Sequence, residues 1–116
     1  MKKIAFKIGF SNKIGSGHFF RSLALAKKLK SLGIQVTILS NKNFTKNIIR
    51  LIKKNKILLK KGMNDNLKKE KNFIEKNKIN NVIIDDPNFS IEAQKKYKNF
   101  IKNLIVYQDI PKRNFC

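Results

Sequence analysis

Residues 3–31 read KIAFKIGFSNKIGSGHFFRSLALAKKLKS, and this stretch decides the fold. Its first eight residues are mostly apolar, as expected of a buried strand, and a polar segment containing glycines follows. The apolar side chains then recur at helical spacing and share one helix face: Phe19, Leu23, Ala26 and Leu29. A strand, a glycine loop and a helix in that order predict the first unit of a parallel α/β sheet.

The same alternation continues along the rest of the chain. Short apolar runs predict five strands, near residues 3–10, 34–40, 57–59, 81–85 and 104–107. Segments of helical period predict four helices, at about His18–Ser31, Phe44–Lys54 and Leu67–Lys76 and after a capping Ser90. No linker rich in proline, glycine or serine divides the chain, and no internal repeat occurs in it.

We therefore predict one Rossmann-like domain over residues 1–116, an α/β fold with a doubly wound parallel sheet. The expected strand order is 3-2-1-4-5, because right-handed crossovers on both sides of a central first strand produce that order. The first and fourth strands should then be neighbours.

The composition is strongly basic, with 27 Lys+Arg against 7 Asp+Glu and a net charge of +20. Such an excess usually indicates a polyanionic partner. However, Lys, Asn and Ile fill 56 of the 116 positions, and all three have A/T-rich codons, so genomic base composition alone can produce the charge. Nucleic-acid binders favour arginine and exposed aromatic rings, whereas here lysine outnumbers arginine eightfold and tryptophan is absent. A basic nucleic-acid-binding domain is the less favoured alternative.

The sequence also indicates the compartment. The single cysteine, Cys116, has no second cysteine with which to form an intrachain disulfide, as is common in a reducing cytosol. The opening MKKIAFKIGF is too short an apolar run for a signal peptide, because Lys7 interrupts it. No run reaches the ~18 apolar residues of a membrane span. We expect a soluble cytoplasmic protein with no membrane partner.

Ligands of open α/β sheets bind outside the carboxyl ends of the strands, and the richest polar segment there is 11–21. It contains Gly15-Ser16-Gly17-His18 and then Arg21, a G-x-G-H-x-x-R signature between strand and helix. Glycines let the backbone turn tightly and approach a ligand, and the following helix N-terminus attracts an anion. Arg21 lies three residues after His18, so both side chains reach neighbouring surface.

Two familiar phosphate-binding motifs do not fit this segment. A dinucleotide fingerprint needs a third glycine where Phe20 stands, and an acidic residue after the second strand, which ends in Ser40-Asn41. A P-loop needs Gly-Lys followed by Ser or Thr, and that triplet does not follow the glycines here. We predict no nucleotide cofactor and no metal.

His18 is the only histidine in the chain. Its position alone is compatible with two roles, that of a helix-capping residue and that of a catalytic base. The dipole at a helix N-terminus favours the neutral imidazole, which can accept a proton. Activation of a water or hydroxyl near a bound phosphate is therefore feasible.

The sequence resembles a known family in five features. They are the motif, the Leu/Ala-rich helix LALAKKLKSLG, the V-x-I-L strand, the Ile-Ile-Asp strand end and the aromatic-x-Asp strand end. It is the nucleotide-sugar hydrolase family of pseudaminic acid biosynthesis, to which spore-coat polysaccharide proteins are similar. The resemblance covers nearly the whole chain but only the amino-terminal half of a family member. It implies two Rossmann-like domains in the glycosyltransferase-B arrangement. It also implies release of UDP from a UDP-linked diacetamido-trideoxy sugar, with water as acceptor.

The resemblance further implies the site residues. His18 matches the catalytic histidine, the base that activates the attacking water. The remaining matches are to substrate-binding positions: Gly15, Gly17, Arg21, Asp85 and Asp109. From the residues alone, Asp85 is explained equally well as a strand-end or loop-capping aspartate, and an aspartate in the position of Asp109 is more often a simple turn residue. Asp86-Pro87 stands where the family often has an aromatic residue.

Other functions stay open. The glycosyltransferase that makes lipid-linked peptidoglycan precursor also has a glycine-rich loop ending in histidine, but continues with proline where this chain has Arg21. In this architecture UDP is held mainly by a carboxy-terminal domain, which we expect to be absent from residues 1–116. The chain is thus also compatible with a truncated, non-catalytic remnant, or with a subunit whose second domain is separately encoded.

The nucleic-acid alternative predicts a measurable difference. If lysine count alone governs binding, filter retention of DNA or RNA is weak and falls steeply with salt, because only counterion release contributes. Retention that persists at physiological salt and discriminates between sequences would contradict the enzymatic interpretation.

Overall fold

The computed structural model describes residues 2–9, 17–64, 66–86 and 91–106. The strands are β1 Lys3–Ile8, β2 Gln35–Leu39, β3 Leu58–Lys60, β4 Asn81–Asp85 and β5 Asn103–Val106. The helices are α1 Gly17–Ser31, α2 Lys46–Lys54, α3 Leu67–Lys76 and α4 Ile91–Lys98. No helix in these ranges has both the length and the apolar character needed to cross a membrane.

The five strands form one sheet in the order β3-β2-β1-β4-β5, and every neighbouring pair is parallel. β1 lies at the centre, with its residues 3–7 paired to β2 and its residues 4–8 paired to β4. The predicted fold class, strand order and adjacency of the first and fourth strands are confirmed. The winding direction reverses between β1 and β4, which makes this pair the topological switch point.

Each face of the sheet has its own apolar core. The α1–α2 side is built on Phe6 and Ile8 of β1, which pack with Phe19 and Leu23 of α1. The α3–α4 side collects Ala5 of β1 with the following residues: Leu39, Met63, Ile74, Ile79, Val82, Ile84, Tyr97 and Ile101. Alternate residues of the central strand therefore point to opposite faces, as the pleat requires, and both faces are covered by helices.

The helix ends are determined by local hydrogen bonding. At the end of α1, Gly33 adopts φ +86° and the N–H of Ile34 bonds back to the carbonyl of Leu29, a Schellman motif. The prediction that the second helix begins at Phe44 is wrong by two residues. Thr45 is extended and its hydroxyl accepts from the N–H of Ile48, so the helix starts at Lys46.

The bounds of β1, β2, β3 and β5 differ from the predicted ones by one or two residues. β3 begins at Leu58 because Ile57 belongs to the preceding turn, where its N–H bonds to the carbonyl of Ile52. β1 ends at Ile8, and Phe10 lies outside the described residues, as do Ser90 and Tyr107. The bounds of β4 and α3 are confirmed as predicted.

A buried polar cluster crosses the α3–α4 core. The ammonium of Lys7 lies 2.9 Å from Glu70 Oε2, and both side chains are almost fully buried. The hydroxyl of Tyr97 donates to the other carboxylate oxygen of Glu70. This cluster links β1, α3 and α4, and each charged group in it depends on its partner because a lone buried charge is costly.

Replacement of one charge in this cluster should destabilise the fold strongly. We expect Lys7→Met to lower the free energy of unfolding by roughly 3–5 kcal/mol, because the Glu70 carboxylate loses its compensating cation. The double variant Lys7→Met/Glu70→Gln removes both charges and keeps an acceptor for Tyr97, so it should recover most of the loss. Urea denaturation of both variants measures the difference, and equal stability of Lys7→Met and the parent chain would contradict the interpretation.

Candidate functional site at the switch point

The carboxyl ends of β1 and β4 meet side by side at the switch point. The N–H of Gly9, just after β1, donates to the carbonyl of Asp85 at 2.8 Å. A Cβ placed on Gly9 would lie 2.6 Å from Cγ of Asp86 and 3.0 Å from its Cα. Only a residue without a side chain fits between these two strands, so glycine sets how closely the chain passes Asp86 before the motif begins.

The opposite side of β1 is held by Asn41, which follows β2. Its side-chain amide donates to the carbonyl of Ile8 at 3.1 Å, and its Oδ1 accepts from the N–H of Asn43 at 2.8 Å. Asn41 is buried. The chain at the end of β1 is therefore hydrogen-bonded to β4 on one side and to Asn41, just after β2, on the other. These bonds lie immediately before the segment that contains the glycine-histidine motif.

Asp85 at the end of β4 binds the first turns of α1. Its Oδ1 accepts from Nη2 of Arg21 at 2.7 Å, and its Oδ2 accepts from Nε at 3.3 Å. The hydroxyl of Ser22 donates to Oδ2 at 2.7 Å. We call Asp85, Arg21 and Ser22 the β4–α1 clasp. Charge-assisted and bidentate bonds of this kind are the strongest hydrogen bonds in proteins.

Phe19 anchors the same part of α1 from the apolar side. It is fully buried, and its ring makes edge contacts with Phe20 and Phe44 at centroid distances of 5.7 and 6.0 Å. Phe20 is half-exposed. The beginning of α1 is therefore fixed both by packing against the sheet and by the clasp.

Of the residues predicted for the site, Arg21 and Asp85 come together as a direct ion pair. Gly17 and His18 are the first two residues of α1. The His18 side chain, Gly15 and Asp109 lie outside the described part of the structure. No group of three potential metal ligands occurs in the described ranges.

Sequence reasoning missed three residues of this edge: Gly9, Ser22 and Asn41. Ser22 stands directly after the motif, and a hydroxyl on the inward face of an apolar helix is a signal that it has a polar partner. At Asn41 the sequence shows only that the acidic residue of a dinucleotide site is absent, and nothing in it indicates a bond to β1. Gly9 could have been found from its position, because a glycine at the end of a buried strand often marks a close approach of two backbones.

Comparison with known proteins supports the fold. No protein-family model matches the chain, and no curated protein matches it. The solved structure of MurG from Acinetobacter baumannii aligns with a TM-score of 0.71 at 16% sequence identity, over 93% of this chain and 35% of the MurG chain. The chain thus spans about a third of the length of MurG. The likeness confirms the Rossmann-like architecture, of the kind found in the glycosyltransferase-B fold.

The close packing at Gly9 leads to a prediction. We expect Gly9→Ala to lower the free energy of unfolding by about 1–3 kcal/mol, because the added methyl group overpacks against Asp86. The double variant Gly9→Ala/Asp86→Ala removes the nearest atoms and should regain part of that loss. Thermal unfolding of the single variants and the double variant gives the coupling energy. Strictly additive effects would show that the two residues do not collide.

Proposed function

We propose that this chain is the amino-terminal half of a nucleotide-sugar hydrolase that releases UDP from a UDP-linked diacetamido-trideoxyhexose, in nonulosonic acid biosynthesis of the pseudaminic type. The resemblance of the G-x-G-H-x-x-R segment suggests this substrate class. The structural neighbour MurG is itself a UDP-sugar enzyme of the glycosyltransferase-B fold, which supports the broader chemistry.

One observation carries the proposal: the clasp attaches the motif-bearing end of α1 to the carboxyl end of β4. Arg21, the last residue of the motif, is bonded to Asp85 at the edge where α/β sheets bind their ligands. Because His18 precedes Arg21 by one helical turn, the clasp also fixes the backbone that carries the histidine.

In the proposed reaction, His18 is the general base. It takes a proton from water as the water oxygen bonds to the anomeric carbon, while the bond from that carbon to the β-phosphate oxygen breaks and its electrons leave with UDP. Gly15 and Gly17 allow the backbone to approach the sugar-phosphate, and Asp109 contributes a polar group after β5. No cofactor is required.

The resemblance assigns the UDP moiety to a second domain, so the full activity needs a partner chain or segment that supplies it. The likeness to MurG favours a second candidate, transfer of the sugar to an acceptor other than water. Products distinguish the two: hydrolysis yields a free reducing sugar and UDP without any acceptor, whereas transfer depends on the acceptor.

The test is a UDP-release assay with the 116-residue chain, alone and with a complementary carboxy-terminal domain added in trans. The chain alone should show little or no turnover, because the sugar-side contacts of one domain do not offset the entropy of association. The complemented pair should turn over, and His18→Ala should slow it by ~10²–10⁴-fold, because a positioned base contributes that much.

Lys27→Ala is the matched control, since Lys27 is exposed on the same helix and belongs to no part of the proposed site. It should leave the rate unchanged. Equal rates for His18→Ala and the control would identify the histidine as a helix-capping residue and remove the mechanism. UDP release only in the presence of an acceptor would favour transfer over hydrolysis.

A further inference from the structure

We infer that Asp85 is a positioning residue, which acts on the reaction through α1 and does not contact substrate. The inference rests on the proposed function for its catalytic consequence, and it replaces the substrate-binding role that the resemblance implies for this aspartate. It is carried by the burial and bonding of the carboxylate.

The Asp85 side chain is only 3% exposed, and both carboxylate oxygens already accept hydrogen bonds. Oδ1 receives Arg21, and Oδ2 receives both Arg21 and Ser22. A sugar hydroxyl or acetamido group would have to displace one of these donors to reach the carboxylate. That exchange would leave the buried Ser22 hydroxyl without its acceptor or would break the bonds of the partly buried Arg21 to the carboxylate, and either is costly.

The clasp also shows what Asp85 does instead. Arg21 and Ser22 are three and four residues after His18, so they lie one turn further along the same helix. A carboxylate at the end of β4 that holds two consecutive residues of this turn fixes both the rotation and the height of α1 relative to the sheet edge. A base displaced by about 1 Å can lose on the order of 10²-fold in rate.

Arg21 has a corresponding role. Its Nε and Nη2 are committed to Asp85, and two-thirds of its side chain is buried. Its positive charge is therefore compensated within the protein. The guanidinium acts mainly as the link between β4 and α1, and less as a docking point for a diphosphate.

The first test uses the isolated chain, so it is independent of activity. His18 is the single histidine, which makes its imidazole signals in a ¹H–¹⁵N or ¹H–¹³C NMR spectrum unambiguous. Asp85→Asn keeps the shape but loses the charge, and Ser22→Ala removes one bond. Both should shift the imidazole signals and the backbone amides of residues 17–22, with the larger changes in Asp85→Asn. Tyr97→Phe, which removes a buried hydrogen bond on the opposite face, should leave these signals in place.

Unchanged His18 and residue 17–22 signals in a folded Asp85→Asn chain would overturn the inference. So would shifts of equal size throughout the sheet, because they describe a general loss of packing. If Asp85→Asn fails to fold, Ser22→Ala decides by the same criterion, since it leaves the ion pair intact.

The second test uses the complemented enzyme of the preceding section. If Asp85 is a positioning residue, Asp85→Asn should lower kcat by about 10-fold or more. KM should stay within about twofold, because the substrate loses no contact. A raised KM with unchanged kcat would identify Asp85 as a substrate ligand. If no variant and no parent chain releases UDP, the proposed function fails, whereas the NMR result still establishes whether Asp85 holds the turn.

Discussion

The parallel pairing of β1 with two neighbours, β2 on one side and β4 on the other, is the constraint on which the rest of the structure depends. Since crossovers between parallel strands are right-handed, a central first strand sends α1 and α2 to one face and α3 and α4 to the other. The chain must then change direction between β1 and β4. Both the close approach of Gly9 to Asp86 and the clasp lie at that reversal.

Most of this architecture could be predicted from the sequence because it depends on local pattern. In buried strands such as β4, and in helices with one apolar face, apolar residues recur at characteristic spacings. These spacings are visible in a single sequence. The predictions that are wrong concern the ends of helices and strands, because a single hydrogen bond can determine the residue at which an element begins or ends. Phe44 fits the helical period of α2, yet the Thr45 hydroxyl caps the helix after it, and Ile57 fits a strand yet completes a turn.

The candidate site was predictable only in part. The motif identifies Arg21 as a site residue, and the end of a buried strand identifies Asp85. The two residues are 64 positions apart, however, so no local sequence pattern indicates that they form an ion pair. That pairing is a product of the β1–β4 adjacency. The same holds for Asn41, whose partner is a main-chain carbonyl of another strand. The resemblance implies that Asp85 contacts the ligand, whereas its burial and its bonds to Arg21 and Ser22 are the basis of our inference that it positions α1.

The two buried carboxylates have a consequence for how this sequence can change over generations. The chain has only seven acidic residues against 27 basic ones, and two of the seven are these buried carboxylates. Glu70 pairs with the buried Lys7 and Asp85 with the partly buried Arg21, so a mutation of either carboxylate to lysine would place a second positive charge at a buried position beside the first. We therefore expect the fold to tolerate a lysine less at these two positions than at exposed acidic residues such as Glu75 and Glu92.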